Sequence, residues 1–292
     1  MIHVLDTLQL GRAHVIAATA LETGEGIALF DTGPESTFEN IACALRNTGA
    51  RPEDVRHVFL SHIHFDHAGA AWRFAELGAT VYVHPRGAPH LLDPTRLIES
   101  AARIFGDRME RLWGRFAPVP AARLRILQDS DVVRVGGIGV RAIETPGHAS
   151  HHHVYHWDDV LFGGDVAGVR IGGGPPIPPF VPPELEITQW LESIAKMRAL
   201  DATQLYLPHF GRVDSSLAEH LDSLAERVRC WSEWFRDRLR AGETKEQLLP
   251  AFATYEADDL RAGGASESEL ADYEAADPSA MAVTATLRYW RE

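Results

Sequence analysis

Cysteine, lysine and long apolar runs are scarce in this chain. Its 292 residues include two cysteines, Cys43 and Cys230, which lie far apart in sequence. A disulfide framework is therefore not indicated, and we expect both residues to be buried free thiols in a reducing compartment. No apolar run approaches the ~18 residues of a membrane span, and the start of the chain lacks the basic region of a secretory signal. These shortages indicate a cytoplasmic protein without a membrane segment.

Positive charge is also in short supply. The formal net charge is -13, and Lys196 and Lys245 are the only lysines. A general nucleic-acid surface would need a basic stripe, which this balance disfavours. The hydrophobic fraction of 45% and the charged fraction of 24% are ordinary for a globular protein. We therefore expect a globular protein that acts on a small molecule and binds neither nucleic acid nor membrane.

Metal-ligand residues are concentrated in one short stretch, 61–67. The preceding run, 55–60, is apolar and β-prone and predicts a strand, whereas 68–77 predicts the start of a helix. The stretch would thus lie at the carboxyl end of a strand, where layered α/β proteins build their sites. Imidazole and carboxylate groups are ligands for divalent metals. The candidate ligands here are His62, His64, Asp66 and His67.

The spacing H-x-H-x-D-H resembles the signature of the metallo-β-lactamase superfamily. The resemblance covers roughly residues 1–213 and implies an α/β fold, the αββα sandwich, around a centre of one or two metals. The family supplies further ligands at set stations downstream, and each station is filled here. These residues are His148 in a Thr-Pro-Gly-His turn, Asp165 in a Gly-Asp pair and His209 in a Pro-His pair.

The resemblance implies two divalent cations per chain. Asp165 would bridge them, and Asp66 could also steer the protons of the nucleophile, so these two are the candidate catalytic residues. All donors are nitrogen or oxygen, a set that suits zinc but also iron or manganese. Site one would comprise His62, His64 and His148, and site two Asp66, His67 and His209.

The implied reaction is hydrolysis of a small ester-like substrate, a thioester or a lactone, by a hydroxide that bridges the two cations. An iron-dependent persulfide dioxygenase of the same fold is the main alternative. The acidic balance disfavours a phosphodiesterase or nuclease. A β-lactamase is disfavoured by the missing export signal and by the joint presence of His67 and Asp165. Family members that cleave glutathione thioesters hold glutathione with basic C-terminal residues, including lysine. Glutathione thioesters are therefore disfavoured here, because Lys245 is the only lysine in that region, although arginines are available.

Two segments add to the family pattern. Residues 86–128 form a long insertion, in which a recurring apolar stripe predicts one helix of about six turns that begins at Asp93-Pro94. This helix either packs on the core, covers the metal site or forms a dimer contact. Residues 214–292 predict a helical extension, which either stabilises the protein, joins two copies into a homodimer or contributes to substrate specificity.

Supporting roles are expected for a few further polar residues. Asp31 either hydrogen-bonds near the metal loop or is an ordinary turn aspartate. Among the three consecutive histidines 151–153, strand alternation places His152 on the face opposite to the other two. We expect His151 or His152 to orient a metal ligand and the remaining histidines to be solvated. The Gly- and Pro-rich loop 172–183 is expected to flank the pocket mouth.

Overall fold

The protein is an αββα sandwich. The structure, a computed structural model, describes residues 1–290. The strands are β1 (Ile2–Asp6), β2 (Ala17–Thr23), β3 (Gly26–Phe30), β4 (Val55–Phe59), β5 (Thr80–Val83), β6 (Leu124–Ile126), β7 (Val132–Val135), β8 (Ile138–Glu144), β9 (His153–Trp157), β10 (Val160–Phe162), β11 (Gln204–Leu207) and β12 (Gly211–Arg212). The helices are α1 (Phe38–Asn47), α2 (Phe65–Ala68), α3 (Ala71–Glu76), α4 (Ala88–Leu92), α5 (Thr95–Phe105), α6 (Met109–Trp113), α7 (Ile187–Arg198), α8 (Leu217–Arg240), α9 (Lys245–Ala262), α10 (Glu267–Ala276) and α11 (Ser279–Tyr289).

The strands form two mixed sheets. In the first, β1 to β6 lie side by side in chain order, antiparallel from β1 to β3 and parallel from β3 to β6. In the second, the order is β12-β11-β10-β9-β8-β7, and only the pair β10 and β11 is parallel. The carboxyl ends of the parallel strands lead into the loops that carry most of the candidate ligands.

Three hydrophobic clusters separate the four layers. The cluster between the sheets is rich in aromatic side chains, and Phe30 stacks on Phe162 with ring centroids 3.5 Å apart. The outer face of the first sheet packs against α1, α3 and the insertion. The outer face of the second sheet packs against α7 and the C-terminal helices. Apolar faces are thus covered on both sides of each sheet, as an αββα sandwich requires.

The insertion differs from its prediction. Instead of one helix of about six turns, residues 86–128 contain the three short helices α4, α5 and α6. The break after α5 occurs at Gly106, whose φ of 57° is readily adopted only by glycine. The apolar stripe continues across the break, because Phe105 and Trp113 pack against the same cluster. Periodicity alone therefore could not locate the end of the helix.

The insertion nevertheless reaches the metal loop. The ring of Phe65, which lies between two candidate ligands, is 4.7 Å from that of Phe116 and 6.4 Å from that of Trp113. The indole Nε1 of Trp72 donates to the carbonyl of Arg115, which holds the same segment against α3. The last part of the insertion thus supports the metal loop by packing against it.

The C-terminal helices are part of the hydrophobic core. Phe252 of α9 is fully buried and contacts Trp231, Trp234 and Phe235 of α8. These side chains belong to the cluster that also contains Leu161 of β10. The predicted helical extension is present over residues 217–289, and its apolar surface is continuous with that of the second sheet.

The two thiols are less buried than expected. Cys43 is exposed and Cys230 is partly exposed. On α1 the buried face is formed by Ile41 and Leu45, and Cys43 points away from it. The prediction of a buried thiol is therefore wrong for Cys43. Among residues 1–290, no helix is both long and apolar enough to cross a membrane.

His220, near the start of α8, is a buried neutral histidine. Its Nε2 lies 2.8 Å from the carbonyl oxygen of Ala167, to which it donates, and its Nδ1 has no hydrogen-bond partner. Burial lowers the pKa of His220 to about 4. A proton on Nδ1 would therefore be bound more readily by the unfolded chain than by the folded one.

Replacing Phe252 by alanine should destabilise the whole protein. The lost burial and the remaining cavity should lower the free energy of unfolding by ~3–5 kcal/mol. Denaturant unfolding followed by far-ultraviolet circular dichroism and by tryptophan fluorescence should show one shared transition at lower denaturant. Ile104→Ala, at an exposed site of the insertion, should change stability by less than about 0.5 kcal/mol. Two separate transitions would instead indicate that residues 214–292 unfold independently.

His220 should make the protein less stable in acid. Its folded-state pKa of about 4 lies below the unfolded value of ~6.5. The unfolded state therefore binds more protons between these values, and its free energy falls relative to the folded state as the pH falls through this window. The free energy of unfolding of His220→Gln, measured between pH 7 and pH 4, should decline less steeply than that of the wild type. Identical slopes would contradict the assignment.

Candidate metal centre

Three imidazoles from both sheets converge on one point. His62 and His64 follow β4 of the first sheet, whereas His148 follows β8 of the second. The Nδ1 of His64 lies 2.8 Å from the Nε2 of His62 and 3.1 Å from the Nε2 of His148. These three residues form a group whose nitrogen atoms could hold one metal ion.

A second group lies beside the first. The Nε2 atoms of His67 and His209 lie 3.4 Å and 3.5 Å from Oδ2 of Asp66. His67 belongs to the metal loop, and His209 follows β11. These three residues also form a group that could hold a metal ion.

Asp165 lies between the two groups and faces both. Its Oδ2 is 3.4 Å from the Nε2 of His148 and 3.9 Å from that of His62. Its Oδ1 is 3.3 Å from the Nε2 of His67 and 3.6 Å from that of His209. The two oxygens of one carboxylate thus point to different groups. The structure brings together all seven residues that the sequence pattern singled out.

The backbone at Gly164 allows this approach. Gly164 has a φ of 52°, and a Cβ atom there would collide with the ring of His152 and with Ser61. Only glycine combines this conformation with so close a contact. The turn after β10 can therefore carry Asp165 into the gap between the sheets.

Hydrogen bonds at the outer nitrogens orient the imidazoles. The Nδ1 of His209 donates to the carbonyl of Val15 at 2.8 Å, and the Nδ1 of His148 donates to the carbonyl of Pro179 at 2.9 Å. A carbonyl can only accept, so each Nδ1 carries the proton and each Nε2 presents a lone pair to the centre. Pro179 belongs to the loop 172–183, which therefore contacts a candidate ligand.

Asp31 connects the first sheet to the metal loop. Its Oδ1 accepts from the backbone N–H of Ser61 at 2.7 Å, and its Oδ2 accepts from the Ser61 hydroxyl at 2.8 Å. Oδ2 also accepts from the Nδ1 of His67 at 3.0 Å. Because the Ser61 hydroxyl donates to Asp31, its oxygen can accept from the Nδ1 of His62, 3.0 Å away. Asp31 thus positions two imidazoles, which decides between its two predicted roles.

The three consecutive histidines are all buried. His152 accepts from the backbone N–H of Val166 at 3.4 Å and donates to the hydroxyl of Thr145 at 2.9 Å. It therefore contacts the backbone next to Asp165, and an orienting role for His151 or His152 towards a metal ligand stays a prediction. The expectation that the others are solvated is wrong, since His151 and His153 are 8% and 0% exposed. Both faces of the second sheet are covered by other parts of the protein. Side chains that alternate along β9 and the loop before it are therefore buried on either face.

Protonation in the cluster favours metal binding. Burial lowers the pKa of His62 and His64 well below its usual range, and neighbouring imidazoles lower it further. Burial alone would raise the pKa of Asp165, but the surrounding histidines, above all His67, bring it below its usual range. His62 and His64 are therefore neutral imidazoles and Asp165 is an ionised carboxylate near pH 7, which are the forms that ligate cations.

The unpaired atoms of the centre fit divalent cations. The Nε2 of His67 and the Oδ1 of Asp165 are buried, and neither has a hydrogen-bond partner. Burial lowers the pKa of His67, but the charges of Asp165 and Asp66 outweigh it and raise that pKa well above its usual range. The site thus favours positive charge at this point, and a bound cation supplies it while satisfying both atoms.

The N-terminal loop, residues 7–16, contacts the insertion, the C-terminal helices and a candidate ligand. The side-chain amide of Gln9 donates to the carbonyl of Leu112 in the insertion. The guanidinium of Arg12 donates to Asp272 of α10 at 2.7 Å. At the end of the same loop, Val15 accepts from His209. These backbone and long-range contacts have no local sequence signature, so sequence reasoning missed them.

Comparison with known proteins agrees with this geometry. The family model of the metallo-beta-lactamase superfamily matches residues 11–209. A metallo-beta-lactamase family protein of Thermus thermophilus, TTHA1429, has a similar structure with a TM-score of 0.69 and 20% sequence identity. The alignment covers 99% of this chain and 93% of that protein. At this identity the likeness concerns the fold alone.

Curated relatives match over part of their length. The metallo-beta-lactamase fold-containing protein ST1585 of Sulfurisphaera tokodaii is 28% identical over 59% of this chain and 67% of its own length. An N-acyl homoserine lactonase of Bacillus cereus is 28% identical over 45% of this chain, and the match covers 54% of the lactonase. A hydroxyacylglutathione hydrolase of Rhodopseudomonas palustris is 38% identical over 32% of this chain and 34% of its own length. The chain thus spans about half or less of the two relatives with a named activity.

Asp31→Asn should weaken metal binding without removing a ligand. The amide keeps the shape, but its single oxygen cannot replace both carboxylate oxygens. Either the backbone N–H of Ser61 or the pair formed by the Ser61 hydroxyl and His67 therefore loses its acceptor. Loss of such a supporting acceptor typically lowers metal affinity about 10–100-fold, measurable by competition with a chromophoric chelator. Asp107→Asn, an exposed aspartate of the insertion, is the matched control and should bind metal like the wild type. Equal affinities for all three proteins would show that Asp31 does not support the centre.

Proposed function

The chain belongs to the metallo-beta-lactamase superfamily, and from this premise we propose that it is a metal-dependent hydrolase of small ester-like substrates. Thioesters and lactones are the substrate classes that we favour. Relatives named as a lactonase and as a hydroxyacylglutathione hydrolase support this choice. Their matches cover only part of either enzyme, so the substrate class rests mainly on the site itself.

The position of Asp165 carries the proposal. Its Oδ2 faces His62 and His148 while its Oδ1 faces His67 and His209, an arrangement suited to bridging two cations. In this assignment site one is held by His62, His64 and His148, and site two by Asp66, His67 and His209. The nitrogen and oxygen donors suit zinc, and also iron or manganese.

Bound cations would supply Lewis acidity, which polarises a substrate carbonyl and lowers the pKa of a water from ~15.7 towards ~7. The side chains of the protein position the cations and accept a proton during the reaction. The side chain of Asp66 is 21% exposed, compared with 5% for that of Asp165. With one oxygen directed at His67 and His209, the other oxygen of Asp66 remains available to accept a proton at the mouth of the site. Asp165 would fix the position of site one relative to site two, because one of its oxygens faces each site.

The surroundings of the centre favour an uncharged ester-like group. Lys196, one of the two lysines, binds Asp129 and the carbonyl of Glu144 and is therefore not free to act as an anion clamp. The formal charge of -13 also disfavours strongly anionic substrates such as glutathione conjugates. Lactones and simple thioesters need no such clamp.

We also propose that the partner of the site is a small-molecule substrate and that the protein forms a homodimer.

A substrate panel on protein of known metal content tests the proposal. Lactones or thioesters should be cleaved, chelation should abolish cleavage, and a divalent metal should restore it. Because the mechanism uses no thiol, alkylation of the exposed Cys43 should leave activity intact. Bis-nitrophenyl phosphate and a penicillin serve as comparison substrates. If the metal-loaded protein cleaves none of the carboxylic substrates but consumes oxygen with a persulfide, the hydrolase proposal is wrong.

A further inference from the structure

A cavity of about 700 Å³ lies among the C-terminal helices. Its walls come from the end of α8, the turn that leads into α9, the first residues of α9 and Trp290, which follows α11. Among the described residues that line it, none is a candidate metal ligand. Arg240, Lys245 and Trp290 are all exposed, so a ligand can enter from solvent. The volume falls within the roughly 300–1,000 Å³ of small-molecule pockets.

The packing of α11 brings an aromatic ring to this cavity. α11 lies against both α8 and α9, and the backbone N–H of Trp290 at its end donates to the carbonyl of Thr286 at 3.0 Å. The ring of Trp290 lies 4.9 Å from that of Tyr289, yet the residue remains 37% exposed. The cavity wall therefore offers a flat apolar surface that a planar ring could cover.

Two cations in the wall of the cavity have no acidic partner. Arg236, also in the wall, binds the neighbouring aspartate of α8 at 2.9 Å, and the lining residue Glu243 binds Arg238 at 2.9 Å. By contrast, within residues 1–290 neither Arg240 nor Lys245 forms a salt bridge. Both lie in the same cavity, one at each end of the turn between α8 and α9. The cavity thus contains positive charge that no acid of the described chain pairs.

One lining acid, Glu246, offsets part of this positive charge. Hydrogen bonds from its own backbone N–H and from the hydroxyl of Thr244, together with the charge of Lys245, hold the pKa of Glu246 below its usual range. Lys245 is also the first residue of α9, a helix of 18 residues, and the N-terminal end of a helix attracts anions. Two unpaired cations and a helix N-terminus therefore outweigh one carboxylate.

We propose that this cavity binds a nucleotide, whose phosphate group is held by Arg240 and Lys245 and whose base stacks on Trp290. A phosphate group carries negative charge and several acceptor oxygens, which match a guanidinium fork and an ammonium group. Every nucleobase has a π-face that can stack on an indole ring. This inference goes beyond the hydrolase proposal and does not depend on it, because binding here requires no reaction at the metal centre.

A nucleotide fits the cavity better than a simple anion or an uncharged ring does. A bare phosphate would leave Trp290 in water, and an uncharged ring would leave Arg240 and Lys245 unpaired. The net charge of -13 repels anions from the molecule as a whole. Exposed charges beyond the Debye length of ~8 Å are largely screened at physiological ionic strength. Close to the cavity, the unpaired cations therefore determine which ligand is attracted.

Calorimetry with ADP and its fragments tests the site. The metal-loaded protein is titrated with ADP, with adenosine and with pyrophosphate. ADP should bind at least about 10-fold more tightly than either fragment, because it alone makes both the charged contacts and the stacking contact. Higher salt should weaken the binding of ADP but not that of adenosine. Undetectable binding of ADP at millimolar concentration, or equal affinities for ADP and either fragment, would overturn the proposal.

Substitutions in the cavity wall separate the two kinds of contact. Arg240→Gln and Lys245→Gln should each weaken ADP binding at least about 5-fold, since each removes a charged hydrogen bond, and should leave adenosine binding unchanged. Trp290→Leu should weaken the binding of ADP and adenosine at least about 5-fold but not that of pyrophosphate. Arg229→Gln removes an exposed arginine of α8 outside the cavity and should bind ADP like the wild type. ADP bound at the metal centre instead would survive all these substitutions, a result that would refute the site.

Glu246→Gln should have the opposite effect. Without this carboxylate beside Lys245, ADP should bind several-fold more tightly, whereas adenosine should bind as before. An unchanged or lower affinity for ADP would contradict the position assigned to the phosphate group. All the substituted residues are exposed, so each variant should keep the melting temperature of the wild type within a few degrees. If Trp290→Leu fails to fold, Arg240→Gln and Lys245→Gln decide the test alone, and ADP binding that both leave unchanged overturns the site.

Discussion

Aromatic contact between the two sheets sets the distance across the metal centre. Phe30 stacks on Phe162 at 3.5 Å, and the hydroxyl of Tyr155 donates to the carbonyl of Leu60 at 2.7 Å. Phe30, Leu60 and Phe162 lie at the ends of strands, next to the loops that carry candidate ligands. The packing of the core between the sheets therefore also positions these loops. Four candidate ligands come from the first sheet and three from the second, so the packing of the two sheets brings the two sets together. Such rings are rigid and large, which makes them effective spacers between sheets.

The candidate ligands could be named from the sequence because each lies in a short motif at a strand end that resembles a station of the superfamily, and the structure brings them together. The H-x-H-x-D-H stretch, the Thr-Pro-Gly-His turn and the Gly-Asp and Pro-His pairs all combine a ligand with the turn that presents it. The αββα architecture was implied by the resemblance to the metallo-β-lactamase superfamily and is confirmed. Asp31 could be named from its strand-end position, but its partners required the structure, since Ser61 and His67 lie about thirty residues further along the chain.

Features that depend on tertiary packing escaped prediction. The apolar stripe of the insertion crosses Gly106 without interruption, so periodicity could not reveal that the chain turns there. The histidines among 151–153 that do not orient a ligand were expected in solvent, whereas all three are buried because both faces of the second sheet are covered. Cys43 shares a helix with buried residues but lies on its other side.

The contacts of the loop of residues 7–16 restrict how its length can change during evolution. It contacts the insertion through Gln9, α10 through Arg12 and a candidate ligand through Val15. These three contacts are spaced along one short piece of chain, so adding or removing a residue would shift at least one of them out of reach. Side chains that point into solvent, such as the exposed Leu10, remain open to change. Divergence among close homologues should therefore appear here as substitutions at constant loop length, whereas insertions and deletions should accumulate elsewhere.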